Sequence, residues 1–177
     1  MPKSHLPHIL ITNDDGIRAP GIKHLWHALK PHARLTVVAP SEEQSTVGLS
    51  TTLRLPLRIE QVNWGENEDR IWSVTGTPAD CVKMALRTIL DSPPTLVVAG
   101  INKGSNMGRC VLYSGTLAAT IESTMQSIPA IAFSCNDYAM EPDYETAAKP
   151  KEVPTPPNLM ERTFGPAIAD DKPFNPI

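Results

Sequence analysis

Residues 9–16 read Ile-Leu-Ile-Thr-Asn-Asp-Asp-Gly. A short apolar run bounded by turn residues reads as a buried strand. Here the run ends in two adjacent carboxylates and a glycine. Neighbouring carboxylates repel each other unless positive charge sits between them, and a hard divalent cation prefers carboxylate oxygens. Asp14 and Asp15 are therefore candidate metal ligands at a strand's C-terminal end, the edge where open α/β sheets bind ligands. The same residues also suit a turn that caps the next helix, because Asn, Asp and Gly are turn formers.

Outward from this stretch the pattern alternates. Residues 20–29 place Ile22, Leu25, Trp26 and Leu29 at helical spacing, and residues 35–39 read as a second strand stopped by Pro40. Residues 41–50 form a polar loop. Residues 51–62 alternate around Pro56, as edge strands or a hairpin excursion do. A strand over 71–75 leads to Thr77-Pro78-Ala79-Asp80, a good helix start with a capping hydroxyl, a proline at the first helical position and an acid in the first turn. That helix is expected to run to about Leu90. Residues 96–99 are a strand emptying into a glycine-punctuated loop over 100–108. A helix over 116–126 and a strand over 130–134 follow. Strands separated by helices predict an α/β fold with a mostly parallel sheet covered on both faces.

The bulk numbers agree with a globular domain. The chain has 177 residues, 41% hydrophobic and 20% charged, with net charge −3. That balance gives no basic face for duplex nucleic acid, and a cation would help such a chain handle an anionic substrate. No apolar run is long enough to span a membrane, the N-terminus does not read as a signal peptide, and a cytoplasmic setting is expected. Cys81, Cys110 and Cys135 are widely spaced, which suits buried apolar packing better than a disulfide or zinc framework. All five histidines precede residue 33. None sits in an HExxH pattern, so they are read as surface or packing residues. Trp26, Trp64 and Trp72 are read as core or partly buried. Residues 150–177 contain seven prolines in 28 residues and no hydrophobic periodicity, so they are read as an extended or poorly ordered tail beside a single domain over 1–149.

Three further stretches carry chemistry. Gly100-Ile-Asn-Lys-Gly-Ser-Asn-Met-Gly108 follows a strand; its glycines let backbone approach a ligand, and Asn102 and Asn106 offer amide oxygen and nitrogen. It is not GxGxxG and lacks the Lys-Ser/Thr end of a P-loop, which argues against an NAD-type oxidoreductase. Tyr113-Ser-Gly-Thr116 precedes a helix, where hydroxyls and free amides form an anion site, although Ser114 also suits simple capping. Glu43-Gln-Ser-Thr46 says almost nothing by itself.

Together these motifs closely resemble the survival protein E family, the SurE-type 5′-nucleotidases. The matching pieces are Ile-Thr-Asn-Asp-Asp-Gly-Ile (11–17), Ala-Pro-Gly-Ile (19–22), Val-Val-Ala-Pro (37–40) with Gln44-Ser45, Thr-Gly-Thr-Pro-Ala-Asp-Cys-Val (75–82), the 100–108 loop and Tyr-Ser-Gly-Thr (113–116). The resemblance covers about residues 8–149. It implies a Rossmann-like three-layer fold and hydrolysis of nucleoside 5′-monophosphates to nucleoside and phosphate. It also implies one divalent metal ion per subunit, magnesium or manganese, held by Asp14, Asp15, Ser45 and Asn102. Asp14, Asp15 and Asn106 are then the catalytic candidates, and Asn13, Asn106, Ser114, Gly115 and Thr116 the candidates for the substrate phosphate. A homodimer or tetramer is expected from the same resemblance. The chain departs from the family's usual pattern at Ala99, where serine is common, and at Arg109-Cys110-Val111-Leu112, which is often acidic. Family chains are also longer, and 150–177 does not match their C-terminal part. A truncated, catalytically weak nucleotide- or metal-binding member is the alternative.

Overall fold

Strand β1 (His8–Thr12) is buried along its whole length. Side chains alternate across a strand, so Ile9 and Ile11 enter one apolar cluster and Leu10 enters another. A strand with two apolar faces needs a layer on each. In the computed structural model, which describes residues 6–65, 70–136 and 142–148, both layers are present. Helix α1 (Pro20–Leu29) covers one face with Ile22, Leu25, Trp26 and Leu29. Helices α2 (Pro78–Met84) and α3 (Gly115–Met125) cover the other with Cys81, Val82 and Ala119. Each fully buried Leu, Ile or Val contributes about 1.5–3 kcal/mol. The alternation that assigns Leu10 and Ile11 to opposite faces is therefore strongly specified.

The strands are β1, β2 (Arg34–Pro40), β3 (Ile59–Gln61), β4 (Ile71–Val74), β5 (Leu96–Lys103) and β6 (Ala130–Cys135). They form one sheet in the order β3-β4-β2-β1-β5-β6. All neighbours are parallel except β3 on β4. The chain leaves β1 toward β2, then crosses back after β4 to lay β5 on the other side of β1. The crevice between the C-terminal ends of β1 and β5 is thus a topological switch point, where such sheets bind ligands.

Several elements differ from the sequence expectation. The excursion over 51–62 yields a single short edge strand, β3, since Pro56 removes a ladder donor ahead of it. Helix α2 passes into a wider π-helical turn over Ala85–Ile89, closed by Leu90 N–H donating to the Ala85 carbonyl at 2.9 Å. Strand β5 does not stop at Ala99 but continues to Lys103. Its pairing with β6 shifts register between Ala99 and Asn102, then resumes with Asn102 opposite Ser134. The shift lets Ile101 enter the core fully buried. It also explains Gly100, whose φ is +131° and where a Cβ would lie 2.4 Å from the Phe133 carbonyl oxygen. Asn102 consequently sits on a strand, not on a loose loop. Helix α4 (Tyr144–Ala148) has no forerunner in the sequence pattern; it packs on α1, with the Tyr144 and His24 rings 5.7 Å apart.

Cys81 and Cys135 are buried as expected, but Cys110 is exposed, because its 3₁₀ turn over Gly108–Tyr113 buries none of its residues. Trp26 is buried and meets Trp64 edge to face at 6.0 Å. His8 is a packing residue bonded to the Thr36 hydroxyl at 2.9 Å. Its burial, with Arg34 and Arg70 nearby, pushes its pKa down to about 4. Among the described residues no helix is long and apolar enough to cross a membrane. The tail over 150–177 and His5 lie outside the described residues.

Candidate functional site

The turn after β1 is built by its own side chains. Asn13 is fully buried, and its amide N–H donates to the Gly16 carbonyl at 3.0 Å. This closes the turn and swings Asp14 and Asp15 to the sheet edge. Asn13 thus lies beneath the site, a turn former, and is not among the residues lining the cleft.

Asp14 points at the start of α3. Its Oδ1 accepts from the Thr116 hydroxyl at 2.5 Å, and the backbone amides of Gly115 and Thr116 also bond to it. A helix N-terminus favours such a negative group. The approach is close enough to require glycine: a Cβ on Gly115 would lie 2.7 Å from the Asp14 Cβ. Gly115 and Thr116 therefore stand behind Asp14, their free donors taken by its carboxylate. Burial nevertheless dominates, and the Asp14 pKa is raised. Asp15 is raised to about 6, first by burial and then by the Asp14 charge, with Glu43 adding to it. The Lys103 N–H opposes this by donating to Asp15 Oδ2 at 3.2 Å, which ties the turn after β1 to the end of β5.

Asp14, Ser45, Asn102, Asn106 and Ser114 line one cleft of about 370 Å³ at this edge. They come from four separate stretches of chain. Asn102 donates through Nδ2 to the Gly104 carbonyl at 2.9 Å, which turns its Oδ1 into the acceptor on offer. Asn106 Nδ2 donates to the Ser134 hydroxyl at 2.9 Å, bracing it on β6. Ser114 caps α3 by accepting from Leu117 N–H at 3.2 Å. The Ser45 hydroxyl donates to Glu43 Oε1. Asp15 is not among the lining residues and meets the cleft through its neighbour Asp14.

Lys103, Tyr113 and Cys110 also line the cleft and were not singled out from the sequence. Lys103 could have been, as the cation in the Gly/Asn-rich stretch after a strand. The exposed ring of Tyr113 and thiol of Cys110 carry no comparable signal. None of the described histidines lines the cleft. Among the described residues there is no cluster of three His, Cys, Asp or Glu side chains suited to a metal. The donor set here is two carboxylates with neutral hydroxyl and amide oxygens. An all-oxygen donor set of this kind suits a hard cation.

Comparison with known proteins follows the same motifs. The family model described as Survival protein SurE matches residues 9–163, continuing past Lys149 into the proline-rich stretch. A relative from Protochlamydia amoebophila named 5′-nucleotidase SurE is 55% identical over 141 residues, 80% of this chain and 54% of the relative. One of the same name from Thermosipho africanus is 49% identical over 143 residues, 80% of this chain and 55% of the relative. The crystal structure of the SurE protein from Aquifex aeolicus superposes with a TM-score of 0.73 at 41% identity, covering 81% of this chain and 56% of that one. The chain thus spans about half the length of the curated relatives it matches. With the switch-point topology and these matches in agreement, the chain belongs to the survival protein SurE family.

Proposed function

We propose that this chain carries the catalytic core of a metal-dependent 5′-nucleotidase, which hydrolyses nucleoside 5′-monophosphates to nucleoside and phosphate. The observation that carries it is the convergence of Asp14, Ser45, Asn102, Asn106 and Ser114 on one switch-point cleft. The names of the relatives supply the reaction. Asp14, Asp15, Ser45 and Asn102 would hold the cation, Mg²⁺ or Mn²⁺, one per subunit. When bound, it supplies Lewis acidity toward a phosphoryl oxygen and toward water. One of the two aspartates orients the water for in-line attack at phosphorus. Asn106 and Ser114 hold phosphate oxygens by hydrogen bonds, and Lys103 adds a point charge against the anionic phosphoryl group. Gly115 and Thr116 act through Asp14, and Asn13 through the turn. A homodimer or tetramer, working in the cytoplasm, completes the proposal.

Phosphate release from AMP or GMP tests it directly. Turnover should appear with Mn²⁺ or Mg²⁺ and vanish with EDTA. Turnover indifferent to EDTA would sink the metal-dependent mechanism. Nucleotide binding without turnover supports the second reading, a binding-competent but inactive member.

The same donors predict a pH signature. Asp15 is ordinarily near 3.8 and is lifted to about 6 in the fold. A raised folded pKa means the native state holds the proton more tightly, so its stabilisation is present below about 4 and lost as pH climbs through 6. A cation takes the deprotonated form and reverses that loss. The rise in Tm caused by Mn²⁺ over EDTA should therefore be larger at pH 7.5 than at pH 5, where protons compete. Equal rises at both pH values, measured by thermal melts, would contradict this assignment.

A further inference from the structure

Ser45 is the odd member of the site. Asp14 and Asn102 are carried at strand ends and Ser114 at a helix cap, whereas Ser45 lies exposed on an irregular strap between β2 and β3. Its hydroxyl bonds to Glu43 of the same strap, which does nothing to locate the strap over the cleft. Other bonds do that. Gln44 N–H donates to the Asp14 carbonyl at 2.7 Å, and Gly48 N–H donates to the Tyr113 carbonyl at 3.1 Å. Beyond Ser45, the Thr77 hydroxyl donates to the Ser50 carbonyl at 2.8 Å. Thr52 N–H donates to Asp80 at 3.0 Å from Oδ2 and 3.2 Å from Oδ1.

Thr77 and Asp80 form the capping box of α2: Thr77 N–H donates to Asp80 Oδ2 at 3.0 Å, and Asp80 N–H donates to the Thr77 hydroxyl at 3.2 Å. A capping box is complete with those two bonds. Here both of its side chains also reach out of the helix to residues about 28 positions earlier in the chain. Asp80 is 3% exposed, so its carboxylate is committed to these donors and not to water. We infer that Asp80 is a positioning residue for the candidate metal site: through Thr52 it tethers the strap and so sets Ser45 over the cleft. The inference rests on the metal reading of Ser45 proposed above.

Mn²⁺ titration of the whole chain, by calorimetry or loss of the free-ion spin resonance signal, tests it. Asp80→Asn keeps size and one acceptor oxygen. It should weaken Mn²⁺ binding about 10-fold, the lower end of what supporting residues around a metal control. Ser45→Ala should weaken it at least as much. If Asp80 acts through Ser45, the double variant binds no worse than Ser45→Ala alone, because linked residues are not additive. Thr52→Pro removes the N–H donor while leaving the capping box untouched, and should reproduce the Asp80→Asn loss even if Asp80 variants fold poorly. Multiplying effects in the double variant, or a lowered Tm with wild-type Mn²⁺ affinity, would reduce Asp80 to a helix cap and overturn the inference. A wild type that binds no Mn²⁺ sinks the metal reading itself. Amide exchange over 44–52 separates the cases, since a real tether is weakened in Asp80→Asn and lost in Thr52→Pro with EDTA present.

Discussion

Replacing Asp14 by Asn is expected to remove at least about 100-fold of metal-dependent phosphate release while leaving the metal-free protein no less heat-stable. The two effects have one origin. Asp14 is a buried carboxylate whose pKa is raised because desolvation outweighs the bonds from Thr116 and the amides of Gly115 and Thr116. Without a cation, holding this carboxylate ionised is a liability to the fold. Asn keeps an acceptor for the Thr116 hydroxyl and carries no charge. With a cation, the same charge is the main attraction, and residues that merely support metal ligands are already worth 10- to 100-fold. A ligand itself should reach the upper end of that range or beyond. Steady-state phosphate release with Mn²⁺, beside melts in EDTA, reads both. Near-wild-type turnover would remove Asp14 from the site; a large fall in the EDTA melt would show that its role is structural.

Gly21→Ala is expected to lower Tm by about 6–12 °C and to weaken the site from a distance. Helix α1 meets β5 at Gly21, where an added Cβ would lie 2.1 Å from the Ile101 carbonyl oxygen and 3.3 Å from Tyr144 Cε1. No side-chain rotation relieves a clash with backbone, so the helix or the strand must move. Overpacking of this kind costs typically 1–3 kcal/mol and occasionally more; at 2.1 Å the cost should be about 3 kcal/mol. A chain of this size loses about 2–4 °C per kcal/mol. Ile101 immediately precedes Asn102, so displacement of β5 also moves a proposed ligand, and Mn²⁺ affinity should fall with Tm. A wild-type melt would mean that α1 does not approach β5 as closely as described.

Much of this was legible in the residues. The apolar run 9–12, the helical spacing of Ile22, Leu25, Trp26 and Leu29, and the Thr77-Pro78 start each depend on neighbours within a turn or two, and the elements formed there. The extension of β5 to Lys103 was not legible, because it depends on a shifted pairing with β6 some thirty residues later. Nor was α4, a short helix with no side-chain signal strong enough to announce it.

The site divides along the same line. Adjacent carboxylates ending an apolar strand, a Gly/Asn-rich stretch after another strand and a hydroxyl before a helix are local patterns, and local chemistry limits what they can do; residue order alone therefore placed Asp14, Asn102, Asn106 and Ser114 under suspicion. Which of them share a cleft depends on strand order, and that follows from the packing of distant apolar faces. Packing alone put Asn13 under the floor, gave the α3 amides to Asp14, opened Cys110 and Lys103 to the cleft, and tied the Ser45 strap to Asp80. Each of these rests on contacts between groups far apart in sequence, whose pairing becomes favourable only after the core has brought them together.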